Sequence, residues 1–164
     1  VPYGKWARDG FLELTKGEVA DHNAVKRQLL ADAEKFRVAE VAYDDWGAHK
    51  LVVELGEEGL TMVPIRQGFK ALSPPSKLFE TLVVTGQLGH MANPLLRWMA
   101  SNAVIETDAR ENIKPTKDPK KTSGRIDSIL AIIQALARAS IADPPGPDLN
   151  EVIKRRRGLV SLPA

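Results

Sequence analysis

The chain contains no cysteine. This excludes a disulfide framework, a thiolate zinc site and a cysteine nucleophile, and it fits an intracellular setting. No apolar run approaches the roughly 18 residues that a membrane span needs. No signal-peptide pattern is visible at the start. There is no large excess of one charge either: 23 Lys and Arg stand against 21 Asp and Glu, a net charge of +2. Any attraction to nucleic acid must therefore come from local basic patches. A Gly-x-x-x-x-Gly-Lys-Ser/Thr loop is missing, so the sequence holds no such ATPase site. The Gly-x-Ser-x-Gly elbow and the His-Glu-x-x-His zinc motif are missing too. What is present is 164 residues, 43% hydrophobic and 27% charged, enough for one soluble domain with a real core. The first residues, Val1-Pro2-Tyr3, include no initiator Met, and a fragment of a longer protein is the expectation.

Val1 to Gly10 reads as irregular, with Tyr3 and Trp6 as anchors. Phe11 to Thr15 alternates between Gly10 and Gly17 and reads as a strand in a hairpin or meander. Asp21 or Asn23 can cap a helix over about residues 23–36, with Val25, Leu29, Ala33 and Phe36 as its apolar stripe. Val38 to Tyr43 is β-rich with Glu40 as its only charge, which suits a buried strand. A helix from Trp46 to Glu57 follows, with Leu51, Val52 and Leu55 inward and Gly59 just past its end. Leu60 to Ile65 is the next strand, at an edge or ending at Pro64. Strand, helix and strand make a βαβ unit, so part of the sheet is parallel. Ser73-Pro74-Pro75 looks like the start of a helix running to about Val84. Asn93-Pro94 starts another through about Ala100. Residues 102–107 and 112–116 can pair as a hairpin around Asp108 to Glu111. A basic loop, Lys117 to Gly124, leads into the most apolar helix, Arg125 to Ser140, whose inner face carries Ile126, Ile129, Leu130, Ile133, Leu136 and Ala137. After Ala142 the composition shifts, so residues 1–142 are read as the domain and 143–164 as a Pro-rich linker and basic tail, Lys154 to Arg157 included.

Two acids are placed for chemistry. Asp44 follows the Val38–Tyr43 strand, and in open parallel sheets sites lie beyond the carboxyl ends of strands. Alternation puts it on the same face as Ala42 and Glu40. Asp127 opens the late apolar helix. Carboxylates that converge from different elements can hold Mg²⁺ for phosphodiester hydrolysis, which two metal ions promote by stabilising the attacking and leaving oxygens. Each residue also has a plainer reading. Asp127 is a favourable acid in a first helical turn, and Asp45 is the N-cap of the helix it precedes. His90 can serve as base or phosphate ligand, or simply as a surface residue. Arg97 can clamp a phosphate or pair with a surface acid. Lys114 and Lys117, with Lys120 and Lys121 beyond them, can meet DNA phosphates in a salt-dependent way or belong to a solvated hairpin and loop.

The order of short segments carries more than any one of them. Tyr43-Asp44-Asp45-Trp46 is followed by Arg66-Gln67-Gly68-Phe69, Leu72-Ser73-Pro74, His90, Asn93-Pro94-Leu95-Leu96-Arg97-Trp98 and Asn102. Asn112-Ile113-Lys114-Pro115, Lys117 and Arg125-Ile126-Asp127 complete the series. It resembles the C-terminal nuclease domain of tailed-phage terminase large subunits over about residues 1–140. The resemblance implies an α/β, ribonuclease H-like fold: a mixed sheet flanked by helices. It implies a Mg²⁺- or Mn²⁺-dependent endonuclease, a hydrolase with a two-metal site, that cuts concatemeric double-stranded DNA during packaging in the host cytoplasm. The implied partners are DNA, the portal and the small terminase subunit, in a motor that can be a homo-oligomer. Asp44 matches the acid after the central strand and Asp127 the acid of the late helix, so both are expected to be catalytic metal ligands. His90, Asn93, Arg97 and Lys117 fall in family segments without an assigned role.

One departure counts. The family places a further essential Asp on the first strand of the sheet, and Asp9 and Asp21 do not match it, so the fold is expected to be incomplete at its N-terminus. The alternative reading is therefore a catalytically incomplete DNA-binding and assembly fragment, or a truncated prophage copy. Another ribonuclease H-like family, such as a resolvase or transposase, needs the same acids; the Asn-Pro-Leu-Leu-Arg-Trp and Asn-Ile-Lys-Pro segments favour the terminase.

Overall fold

A computed structural model describes residues 1–17 and 21–141. The linker and basic tail expected over 143–164 lie outside the described residues. The chain opens with a helix, α1 (Tyr3–Arg8), where an irregular segment was expected. Aromatic packing explains the difference. Trp6 is buried, and its ring lies 5.6 Å from that of Trp98, with Tyr3 edge-on to both at 5.9 Å. Phe11 to Thr15 corrects the second expectation: the segment joins no ladder, and Phe11 and Leu14 are exposed. Alternation marks a face for a strand but supplies no partner, and none is offered among the described residues.

Helix α2 (His22–Lys35) starts where its cap predicts: the Asp21 carboxylate accepts from the Asn23 and Ala24 amides at 2.9 and 3.2 Å. Its stripe is only half covered, and Phe36 lies past the helix end and is 65% exposed. Strand β1 (Val41–Tyr43) is shorter than the sequence suggests. Helix α3 (His49–Glu57) begins later than expected. Its N-cap is Ala48, so Asp45 does not cap it, and Trp46 stands in solvent. Gly59, at φ +91°, closes α3 in the left-handed conformation that glycine takes without steric cost. Strand β2 (Met62–Pro64) then pairs parallel with β1 from Val41–Met62 to Tyr43–Pro64, which makes the βαβ unit real.

Helix α4 (Phe69–Val84) begins five residues before Pro74, not at Ser73. The prolines sit inside it, and Ser73 is buried with its hydroxyl accepting from the Ile113 amide at 3.1 Å. Helix α5 (Pro94–Ser101) has its expected cap, with Asn93 Oδ1 accepting from the Leu95 and Leu96 amides. Strands β3 (Ala103–Thr107) and β4 (Ile113–Lys117) form the expected antiparallel hairpin. Asp108 holds its turn by accepting from the Arg110 and Asn112 amides and the Asn112 side chain. Helix α6 (Asp127–Ala139) ends the described chain. The result is a mixed α/β fold, with a parallel and an antiparallel pair of strands as two separate ladders among the described residues.

The core lies between α4 and α6, where Leu72, Ile129 and Ile133 meet Ile65, Phe79, Leu96, Met99 and Leu130. Replacing Ile133, 1% exposed, by Ala should cost about 2–5 kcal/mol in urea denaturation. Val84→Ala, at an 80% exposed position, should change stability by no more than about 0.5 kcal/mol.

Candidate active site

The site is set by how β1 and α6 run past each other. Glu40, just before β1, receives two hydrogen bonds from Arg138 near the end of α6: Nε to Oε2 at 2.6 Å and Nη2 to Oε1 at 3.0 Å. The strand and the helix are in contact, and the ion pair joins the start of the strand to the end of the helix. From Asp127 to Arg138 the helix rises about 16 Å and turns three times to within roughly 20°, so both residues lie on one face. From Glu40 to Asp44 an extended chain covers about 13 Å, and alternation returns Asp44 to the Glu40 face. With Glu40 and Arg138 paired at one end, Asp44 and Asp127 each lie toward the far end of their own segment.

Gln67 links them. Its side-chain amide donates to Asp44 Oδ2 at 3.2 Å. The same residue lines a groove of about 380 Å³ with Asp127, Lys114, Lys117 and Thr116. Asp44 Oδ1 accepts more weakly from the Trp46 amide, at 3.4 Å. Asp44 and Asp127 are both exposed. Their oxygens are the donor type that a hard divalent cation takes, and Mg²⁺ is often held by one or two carboxylates with water completing its shell. Among the described residues no group of three or more His, Asp or Glu converges on one point.

The basic residues divide. Lys117 is exposed at the groove. Lys114 is half-buried in the groove wall, 3.3 Å from Glu106 and with its ammonium 4.5 Å from the centre of the Phe69 ring. Lys120 is exposed in the loop that follows β4, where its amide donates to Asp118. The Lys121 ammonium donates to the Ser101 carbonyl. Arg97 and His90 share a separate hollow with Phe79, Leu88 and Ile129, and its lining includes neither Asp44 nor Asp127. Asn102, one of the residues in the series that carries the resemblance, is a buried brace. Its side-chain nitrogen donates to the Arg125 carbonyl at 3.1 Å, and its main-chain carbonyl accepts from the Asp118 amide at 2.8 Å. A Cβ on Gly124 would meet it at 3.2 Å. These contacts fix the approach to Asp127.

A family model described as "Terminase large subunit, endonuclease domain" matches residues 1–143. The chain belongs to the endonuclease domain family of terminase large subunits. This terminase domain is 31% identical over 158 residues to the terminase large subunit of Enterobacteria phage HK97, covering 94% of this chain and 31% of that protein. It is 30% identical over 141 residues to Protein YmfN of Escherichia coli K12, covering 85% of this chain and 30% of that one. The domain thus spans about a third of the length of these curated relatives. The crystal structure of the HK97 large terminase superposes with a TM-score of 0.73 over 83% of this chain and 28% of that one, at 31% identity. The large terminase nuclease from thermophilic phage G20c shares the fold, with a TM-score of 0.57 over 77% of this chain and 66% of that one, at 16% identity.

Sequence reasoning gave no role to Glu40, Arg138 or Gln67. A signal for the first was present: a lone carboxylate in an apolar strand needs a cation. Arg138 holds the Glu40 carboxyl below the usual glutamate range through its hydrogen bonds and charge, against the opposing effect of partial burial. A depressed folded value means that the terminase domain gains stability from Glu40 above an unfolded-chain value near 4.5. It loses that contribution as pH falls through the folded value. Asp108, lowered chiefly by Asn112, acts in the same direction. Glu40→Gln should therefore show a smaller fall in urea midpoint than wild type between about pH 6 and pH 3.

Proposed function

We propose that the chain is the DNA-cutting unit of a viral packaging terminase, a metal-dependent endonuclease acting on concatemeric double-stranded DNA. The observation that supports this reading is that Gln67, whose amide donates to Asp44 at 3.2 Å, lines the same groove as Asp127, Lys114 and Lys117. Asp44, Asp127 and water would hold Mg²⁺ or Mn²⁺, which supplies an activated water and charge stabilisation at the phosphate when bound. Asp127 lies in the first turn of α6, where the helix dipole favours negative charge. Lys117, exposed at the groove, draws the phosphate backbone toward the acids. Lys114, braced by Glu106 and Phe69, adds a fixed positive charge in the wall. Arg97, Lys120 and Lys121 lie outside this groove lining and would serve DNA held farther along the surface. In a whole terminase the domain would work beside an ATPase, a portal and a small subunit, as part of a homo-oligomeric motor in the host cytoplasm.

A second reading is a DNA-binding and assembly unit that does not cut. It is favoured by the lack of a third acid beside Asp44 and Asp127 among the described residues. Nicking of supercoiled plasmid with Mn²⁺ separates the two. The nuclease reading expects cleavage that EDTA abolishes and that Asp44→Asn or Asp127→Asn each reduce about 100-fold or more. Salt-sensitive DNA binding without cleavage, by chain shown to be folded by circular dichroism, would favour the second.

Either reading predicts that DNA affinity falls steeply with salt. If Lys117 meets one phosphate, Lys117→Ala should flatten the slope of log affinity against log salt by about 0.9. An unchanged slope would remove Lys117 from the interface.

A further inference from the structure

We propose that Gln67 is a positioning residue: its amide fixes the Asp44 carboxylate so that it addresses the same groove as Asp127. This rests on the nuclease reading above. Asp44 is exposed and lies just beyond its strand, where a short acid has several rotamers open to it. Its local donor, the Trp46 amide, is two residues away and 3.4 Å distant, which shapes the turn but holds the carboxylate loosely. Gln67 arrives from the segment between β2 and α4, at 3.2 Å.

The backbone that presents Gln67 is fixed on both sides. Before it, the Ile65 amide donates to the Tyr43 carbonyl at 2.8 Å, so the chain leaving β2 runs beside the chain leaving β1. After it, Gly68 is the N-cap of α4, and its carbonyl accepts from the Leu72 amide. Leu72 is in the core, 1% exposed. Gln67 is therefore carried by a segment anchored to the β1–β2 ladder on one side and, through α4, to the core on the other.

The residue type suits the task. Only the amide nitrogen can face a carboxylate, since an amide oxygen would repel it, so the direction of the bond is fixed by chemistry. A Lys or Arg at this place would orient Asp44 but also cancel its charge. A neutral donor orients the carboxylate and leaves the charge for a cation. Partners that hydrogen-bond to metal-binding carboxylates typically govern affinity by 10–100-fold.

The test is Mn²⁺ titrated into the 164-residue chain, with free Mn²⁺ followed by electron paramagnetic resonance and each variant's unfolding midpoint recorded in EDTA. Gln67→Leu should weaken Mn²⁺ binding about tenfold with its EDTA midpoint unchanged. Gln67→Met, which removes the donor while keeping the side-chain length, should weaken it similarly, and it carries the test if the Leu variant fails to fold. If Asp44→Asn loses binding while Gln67→Leu and Gln67→Met bind like wild type, the positioning role is wrong and the nuclease reading stands. If wild type shows no Mn²⁺ binding that Asp44→Asn removes, the nuclease reading falls and this inference with it.

Discussion

The fork between Glu40 and Arg138 is the interaction on which the geometry of the site depends. Strand β1 has three residues and pairs with one neighbour of equal length, and a two-stranded ladder of that size is marginal alone. Helix α6 is rooted by its other side in the Leu72, Ile129 and Ile133 cluster. The two-bond contact between planar guanidinium and carboxylate fixes angle as well as distance. It ties the start of the short strand to the end of the well-anchored helix, away from Asp44 on the one and Asp127 on the other.

The groove beside them is assembled by polar braces. The Ser73 hydroxyl joins α4 to the first residue of β4. Asn102 joins the end of α5 to the approach to α6. Between them they hold the hairpin against the two core helices, so that Lys114, Pro115 and Lys117 form a wall opposite Gln67 and Asp127. Buried polar groups that are fully partnered specify a geometry that hydrophobic contact alone leaves loose. The basic side chains inherit their positions from these braces.

The sequence was most legible where local chemistry sufficed. Asp21 and Asn93 cap their helices as their residue types require. The apolar face of α6 and the hairpin around Asp108 are where periodicity and turn residues put them. It was least legible where long-range packing decides. The helix at Tyr3–Arg8 exists against a tryptophan more than ninety residues away. Phe11 to Thr15 has a strand's pattern without a ladder, and α4 absorbs two prolines that looked like its beginning. In the candidate site, Asp44 and Asp127 stood out by their positions at element ends. Glu40, Arg138 and Gln67 did not, because their meaning lies in pairings across 98 and 23 positions that no local window contains.

Helix α6 presents two faces with separate duties. Ile129 and Ile133 look into the core, while Asp127 and Arg138 share the stripe toward β1. Selection can act on either face without touching the other. A lineage that surrenders Asp127 keeps its packing, and one that reworks its packing can keep Asp127. Descent in this fold is thus written in two registers. A shared outline at 16% identity, such as that with the G20c nuclease, reports the first register and is silent about the second.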